Sequence, residues 1–94
     1  MKNLKEFKKV LGKVAKAVTN KAKIKWSVGK KCEYPYDCLV IYNDDLEINV
    51  FWDDDEQEWG VDVNTEIKVL KSIRVKESKI ENTVLRLLKS YSLI

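Results

Sequence analysis

The sequence predicts an α+β domain with N-terminal and C-terminal helices packed on one face of an antiparallel sheet of about four strands. Three observations carry this. Apolar residues recur at spacings of three and four near both ends, they alternate with polar residues in the middle, and turn-forming runs (Asn43-Asp44-Asp45 and Asp53-Asp54-Asp55-Glu56) separate the alternating segments. A chain of 94 residues suits one domain with a modest core. With 45% hydrophobic and 35% charged residues but only three Gly and one Pro, the composition is that of an ordered chain with short loops.

The first element is a helix over 3–22, whose stripe is Leu4, Phe7, Leu11, Val14 and Val18, widened by Val10, Ala15, Ala17 and Ala22. The period then becomes alternating. Ile24, Trp26 and Val28 define a strand over 23–28, ended by Gly29, and Lys30 to Pro35 reads as a loop. Strands follow over 37–43, 46–52 and 57–63. Hairpin loops at 44–45 and 53–56 place Leu39, Ile41, Ile48, Val50, Trp59, Val61 and Val63 on the core face. Cys38, Val40, Tyr42, Glu47, Asn49, Phe51, Glu58 and Asp62 fall on the other face, with Glu47 directly opposite Asp62. Residues 66–76 fit either a strand or a helical turn, and their β-branched content leans toward an edge strand. The last element is a helix over 79–91 with the stripe Ile80, Val84, Leu87, Leu88 and Tyr91. Ser78 and Glu81 stand at its start in capping-box spacing.

Charge is sorted along the chain. Residues 1–31 hold eleven lysines against Glu6 alone, +10; residues 32–66 hold twelve carboxylates and no Lys or Arg, −12; residues 67–94 hold seven basic residues against two acidic ones, +5. The net charge of +3 conceals a dipolar chain, so electrostatics bear on where a partner docks more than on overall affinity for polyanions.

The inventory removes much chemistry. No histidine is present, which takes away the commonest general base, the Ser-His and Cys-His pairs and the usual zinc ligand. Gly12, Gly29 and Gly60 are isolated and form no phosphate-cradling loop. Cys32 and Cys38 lack a second ligand pair, and the acidic run 53–56 lacks the alternate ligand spacing and central glycine of a calcium hand. Paired carboxylates on a tight hairpin have no pocket to raise a pKa for catalysis. The sequence therefore predicts no enzyme, no metal and no cofactor. No signal-like or membrane-spanning run is present, so the expected location is the cytoplasm, where both thiols stay reduced.

Two surfaces remain as candidates. The first is acidic and aromatic: Asp44, Asp45, Glu47, Phe51, Asp53, Asp54, Asp55, Glu56, Glu58 and Asp62, alongside Tyr42. Exposed aromatics rimmed by one charge sign describe a protein-binding patch, unless a basic helix covers that face. The second is the lysine face of the first helix, with Lys5, Lys8, Lys9, Lys13 and Lys16. Arginine, the residue that forks onto phosphates and bases, is absent from residues 1–31, and no interleaved aromatic platform accompanies the lysines. Nucleic-acid binding through that helix is therefore the alternative reading.

The order helix, antiparallel strands, helix is similar to that of the double-stranded-RNA-binding domain. The likeness is one of element order alone. The start of the second helix offers only Lys76 and Lys79, interrupted by Glu77 and Ser78, and the chain is not assigned to that family. The expected function is non-enzymatic: an inhibitor or adaptor whose acidic hairpins engage a protein with a basic surface, including one that normally binds nucleic acid. Small phage and mobile-element proteins use such mimicry to block host defence.

Overall fold

The structure is a computed structural model that describes residues 4–21, 24–30, 36–43 and 45–92. It is α+β. Helix α1 (Leu4–Lys21) is followed by strands β1 (Lys25–Lys30), β2 (Asp37–Tyr42), β3 (Glu47–Asp53), β4 (Glu58–Asn64) and β5 (Val69–Val75), then a 3-10 turn (Glu77–Lys79) and helix α2 (Ile80–Ser90). The strands form one antiparallel meander in chain order, with β1 and β5 at its edges. The segment that fitted strand or helix is thus a fifth strand, one more than the alternation alone predicts. Gly29 does not end β1, which continues to Lys30. Lys30, expected to open the loop over 30–35, is thus the last residue of the strand, and 31–35 lie outside the described residues.

Both helices lie on one face of the sheet, α1 against β1 and β2 and α2 against β4, and they touch each other. All seven residues assigned to the core face are buried there, together with Trp52, and they meet Phe7, Leu11, Val14 and Val18 from α1 and Ile80, Val84, Leu87 and Leu88 from α2. Thus the described residues of both helical stripes and of the alternating face behave as the periods require, while the burial of Leu4 and residue Ala22 lie outside what is described. Phe7 is the keystone of one end of this layer. Its ring lies 5.7 Å from Trp52 and 5.8 Å from Trp59, the latter edge-on, and the two indoles meet each other edge-on at 5.4 Å. Trp52 and Trp59 are cross-strand partners on β3 and β4, so a single helical residue locks both strands.

Two expectations of local geometry fail. The β3–β4 register is offset by two residues: Asp53 pairs with Glu58 and Glu47 with Asn64, so Glu47 does not face Asp62, which lies opposite Asn49 instead. The cause is the turn, which occupies 54–57 rather than 53–56, with Gln57 in the left-handed region at φ 55°. Because strand side chains alternate with period two, a shift of two leaves every residue on its expected face. The capping box also does not form. Lys79 is the N-cap of α2 and no side chain caps it. Ser78 sits inside the 3-10 turn, where the bond from Lys79 N to Lys76 O (2.9 Å) closes the chain and the hydroxyl is not positioned as an N-cap acceptor.

The far face of the sheet carries no helix among the described residues, yet Cys38, Asn49, Phe51 and Gly60 are buried on it. Phe51 lies across Gly60, its cross-strand partner, and the guanidinium of Arg74 sits 5.1 Å above the ring. A Cβ at Gly60 would fall 2.7 and 2.9 Å from Phe51 Cε2 and Cε1, and closer still to Cζ. Gly60→Ala is therefore expected to lower stability by about 1–3 kcal/mol through overpacking. Urea unfolding reads this, and the cost should shrink in a Phe51→Leu background if the ring is the obstacle.

Candidate functional site

The acidic surface is built around the β3–β4 hairpin. Asp53 closes the turn, its Oδ1 accepting the backbone amides of Asp55 and Glu56, each at 3.1 Å. Its other oxygen accepts Arg74 Nε at 3.1 Å and lies 3.0 Å from Nη2. Asp54 is tied down as well, since its Oδ1 accepts the Trp52 indole N–H at 3.2 Å while Gln57 Nε2 donates to its carbonyl at 2.6 Å. These bonds leave Asp55, Glu56 and Glu58 as the exposed carboxylates of the hairpin. Among the described residues none of the three has an ion-pair partner.

Arg74 organises the rest of the far face. Besides Asp53 it donates from Nη1 to Ser72 Oγ at 3.1 Å, and the same nitrogen lies 3.9 Å from Asp62 Oδ1. Ser72 Oγ in turn donates to Asp62 at 2.6 Å. The guanidinium therefore joins β3, β4 and β5 across the gap left by Gly60. Asp62 and Phe51 belong to this internal network rather than to the exposed patch.

The predicted acidic residues are consequently split in space. Asp53, Asp54, Asp55, Glu56 and Glu58 gather at one end of the sheet. Asp45 and Glu47 lie at the other end, across the length of a seven-residue strand, on the order of 20 Å away. There the β2–β3 turn is held by Asn43, whose Oδ1 accepts the amides of Asp45 and Leu46. Asp44 lies outside the described residues.

On α1, Lys5, Lys8, Lys9, Lys13 and Lys16 are all exposed, as the stripe requires. Lys8 Nζ approaches Asp37 at 3.9 Å, an exposed contact of little energetic weight.

Beside the acidic hairpin a groove of about 460 Å³ runs between the Trp52–Trp59 pair and the chain leaving β5, with Gln57, Glu58, Val75, Lys76 and Glu77 completing its lining. Sequence reasoning missed this groove and the role of Arg74. The charge blocks assign Arg74 to a segment apart from the acids it serves, and the alternation of Ser72 and Arg74 on one face of residues 69–75 was the only signal available. Cys38 is buried, while Cys32 lies outside the described residues. No group of three His, Cys, Asp or Glu among the described residues is placed to hold a metal ion. No helix among them is long and apolar enough to cross a membrane.

Comparison with known proteins gives no match: no family model fits the chain, and no curated protein or solved structure matches it.

The Asp53 carboxyl is held below the usual aspartate value of 3.8, chiefly by the Glu56 amide, with Arg74 and the Asp55 amide acting in the same direction against partial desolvation. A lowered folded-state pKa means that this carboxylate stabilises the fold above the ordinary aspartate pKa and that the contribution is lost as pH falls through the folded value. Asp53→Asn keeps a turn-capping oxygen but loses the charge facing Arg74. The expected outcome is a lower thermal midpoint at pH 7 and a difference from the native chain that begins to shrink below the ordinary aspartate pKa of about 4 and closes only as pH falls through the lower folded-state value, where the native Asp53 takes up its own proton. Melts at pH 7 and pH 3 check this, and a difference of equal size at both would show that charge is not the cause.

Proposed function

We propose that this chain is a non-enzymatic protein-binding module, an inhibitor or adaptor, whose β3–β4 hairpin engages a basic protein surface. The observation that carries the reading is the contrast between neutralised and unneutralised carboxylates. Asp53 and Asp62 meet Arg74, whereas Asp55 and Glu56 on the adjoining turn and Glu58 at the start of β4 are exposed and make no ion pair among the described residues. Three exposed carboxylates held on a tight turn raise the local negative potential and favour association with a positive patch. The turn is ordered by Asp53, Asp54 and Gln57 before any partner arrives, so little ordering entropy opposes docking. A basic surface that normally holds nucleic acid fits this chemistry, which is the mode small phage and mobile-element inhibitors of host defence employ. The rest of the acidic set plays other parts in this reading: Asp53, Asp54 and Asp62 shape the hairpin, and Asp45 and Glu47 lie too far away to share its contact.

The test is a capture experiment in native cell extract with three forms of the chain. Asp55→Asn, Glu56→Gln and Glu58→Gln together should leave the fold intact and weaken the captured protein by roughly 3- to 150-fold, at about 0.2–1 kcal/mol for each exposed pair. Charge reversal of Lys8, Lys9 and Lys13 on α1 should leave capture unchanged. Retention by the hairpin variant and loss by the helix variant would overturn the proposal.

Duplex and single-stranded oligonucleotides should bind only weakly at about 0.15 M salt, because the lysines sit in the same small domain as the hairpin acids. Polarisation titrations read this outcome. Sub-micromolar binding abolished by the lysine reversals would favour the nucleic-acid alternative, since non-specific contacts reach only ~10⁻⁴–10⁻⁶ M.

A further inference from the structure

We propose that the groove beside the hairpin is the subsite for one basic residue, arginine or lysine, carried on an extended segment of the protein partner; this rests on the reading of the hairpin as the docking element. At about 460 Å³ the groove is within the ~300–1,000 Å³ of ligand clefts, and it is open enough to admit a side chain from outside. Its lining divides by chemistry. Trp52 and Val75 supply apolar surface for the methylene stem of a long side chain, and Glu58 supplies a carboxylate with no ion-pair partner among the described residues. Asp55 and Glu56 stand on the same turn, so the approach to the groove is negative. A stem that packs on apolar surface and a head that meets carboxylates is the combination offered by arginine and lysine.

A second observation points to the backbone that would carry this residue. Trp59 is 2% exposed and lines the groove, yet among the described residues its indole nitrogen has no hydrogen-bond partner. Buried donors are rarely left so, and the group that completes an indole N–H is an oxygen acceptor. A peptide delivers one with every residue, as its main-chain carbonyl. Trp52 does not share the deficit, since its own N–H is taken by Asp54. Lys76 also lines the groove, and in this arrangement it competes with the incoming cation.

The three tryptophans make the proposal measurable in the full chain. Trp52 and Trp59 line the groove, whereas Trp26 stands on the opposite edge strand and serves as an internal control. The probes are the capped tripeptides acetyl-Ala-Arg-Ala-amide and acetyl-Ala-Lys-Ala-amide, with a citrulline peptide as the uncharged analogue of the arginine one. Titration of ¹⁵N-labelled protein should move the Trp52 and Trp59 indole signals saturably, Trp59 downfield, with Trp26 unmoved and the citrulline peptide much weaker. Glu58→Gln should weaken binding and Lys76→Met strengthen it, each by roughly 1.5- to 5-fold. Movement of the Asp55 and Glu56 backbone amides without the two indoles would overturn the groove and leave hairpin docking standing. Silence at both sets of signals up to tens of millimolar peptide would overturn both. Equal binding of the citrulline peptide would make the groove a slot without charge preference and overturn the assignment to a basic residue.

Discussion

The contact on which the rest of this structure depends is the meeting of Phe7 with the cross-strand pair Trp52 and Trp59. Three large rings supply much of the apolar area at one end of the helix–sheet layer, and aromatic side chains bury about 150–250 Å² each. At ~25 cal/mol per Å² each ring contributes several kcal/mol as an upper bound, a large share of the total stability of a domain this small. The pair also stands one residue inside the Asp53–Glu58 rung that closes the hairpin. Packing of α1 thus positions the base of the acidic turn, and the indole edges become a wall of the groove beside it.

Charge follows from that frame. In the chain the acidic block lies between two basic ones; in the fold the blocks neutralise each other only in part. Arg74, from the C-terminal block, reaches over Phe51 to Asp53 and Asp62 because Gly60 leaves room for the ring beneath it. The lysines of α1 cannot make a comparable contact. Lys5, Lys8, Lys9, Lys13 and Lys16 are exposed on the helix side of the sheet, while Asp53 and Asp62 lie on the far face. What remains uncompensated among the described hairpin residues is concentrated at Asp55, Glu56 and Glu58. Held on a turn that Asp53, Asp54 and Gln57 order, such a cluster raises the local negative potential.

Much of this was legible in the sequence, and the reasons are physical. Helical and alternating periods identify both stripes and the core face, because burial on one side of an element imposes its repeat on the residues. Leu39, Ile41, Ile48, Val50, Trp59, Val61 and Val63 need no knowledge of neighbours to be assigned. Trp26 and Val28 show the limit of that signal. They share the face of Ile41 and Leu39, yet remain 39% and 37% exposed on an edge strand. Periodicity reports which side a residue faces and not whether another layer reaches it.

By itself, then, the sequence determined the order of the two helices and the first four strands, the faces of the strands, the helical stripes, the acidic character of the hairpin and the absence of histidine. Only the tertiary structure decided the fifth strand, the two-residue offset between β3 and β4, the unused capping box, the separation of Asp45 and Glu47 from the hairpin acids, and the neutralisation of Asp53 and Asp62 by Arg74. The difference is one of range. Period, propensity and composition are properties of neighbouring residues, whereas an offset set by turn geometry, or an ion pair between residues 21 apart, exists only once the strands lie side by side.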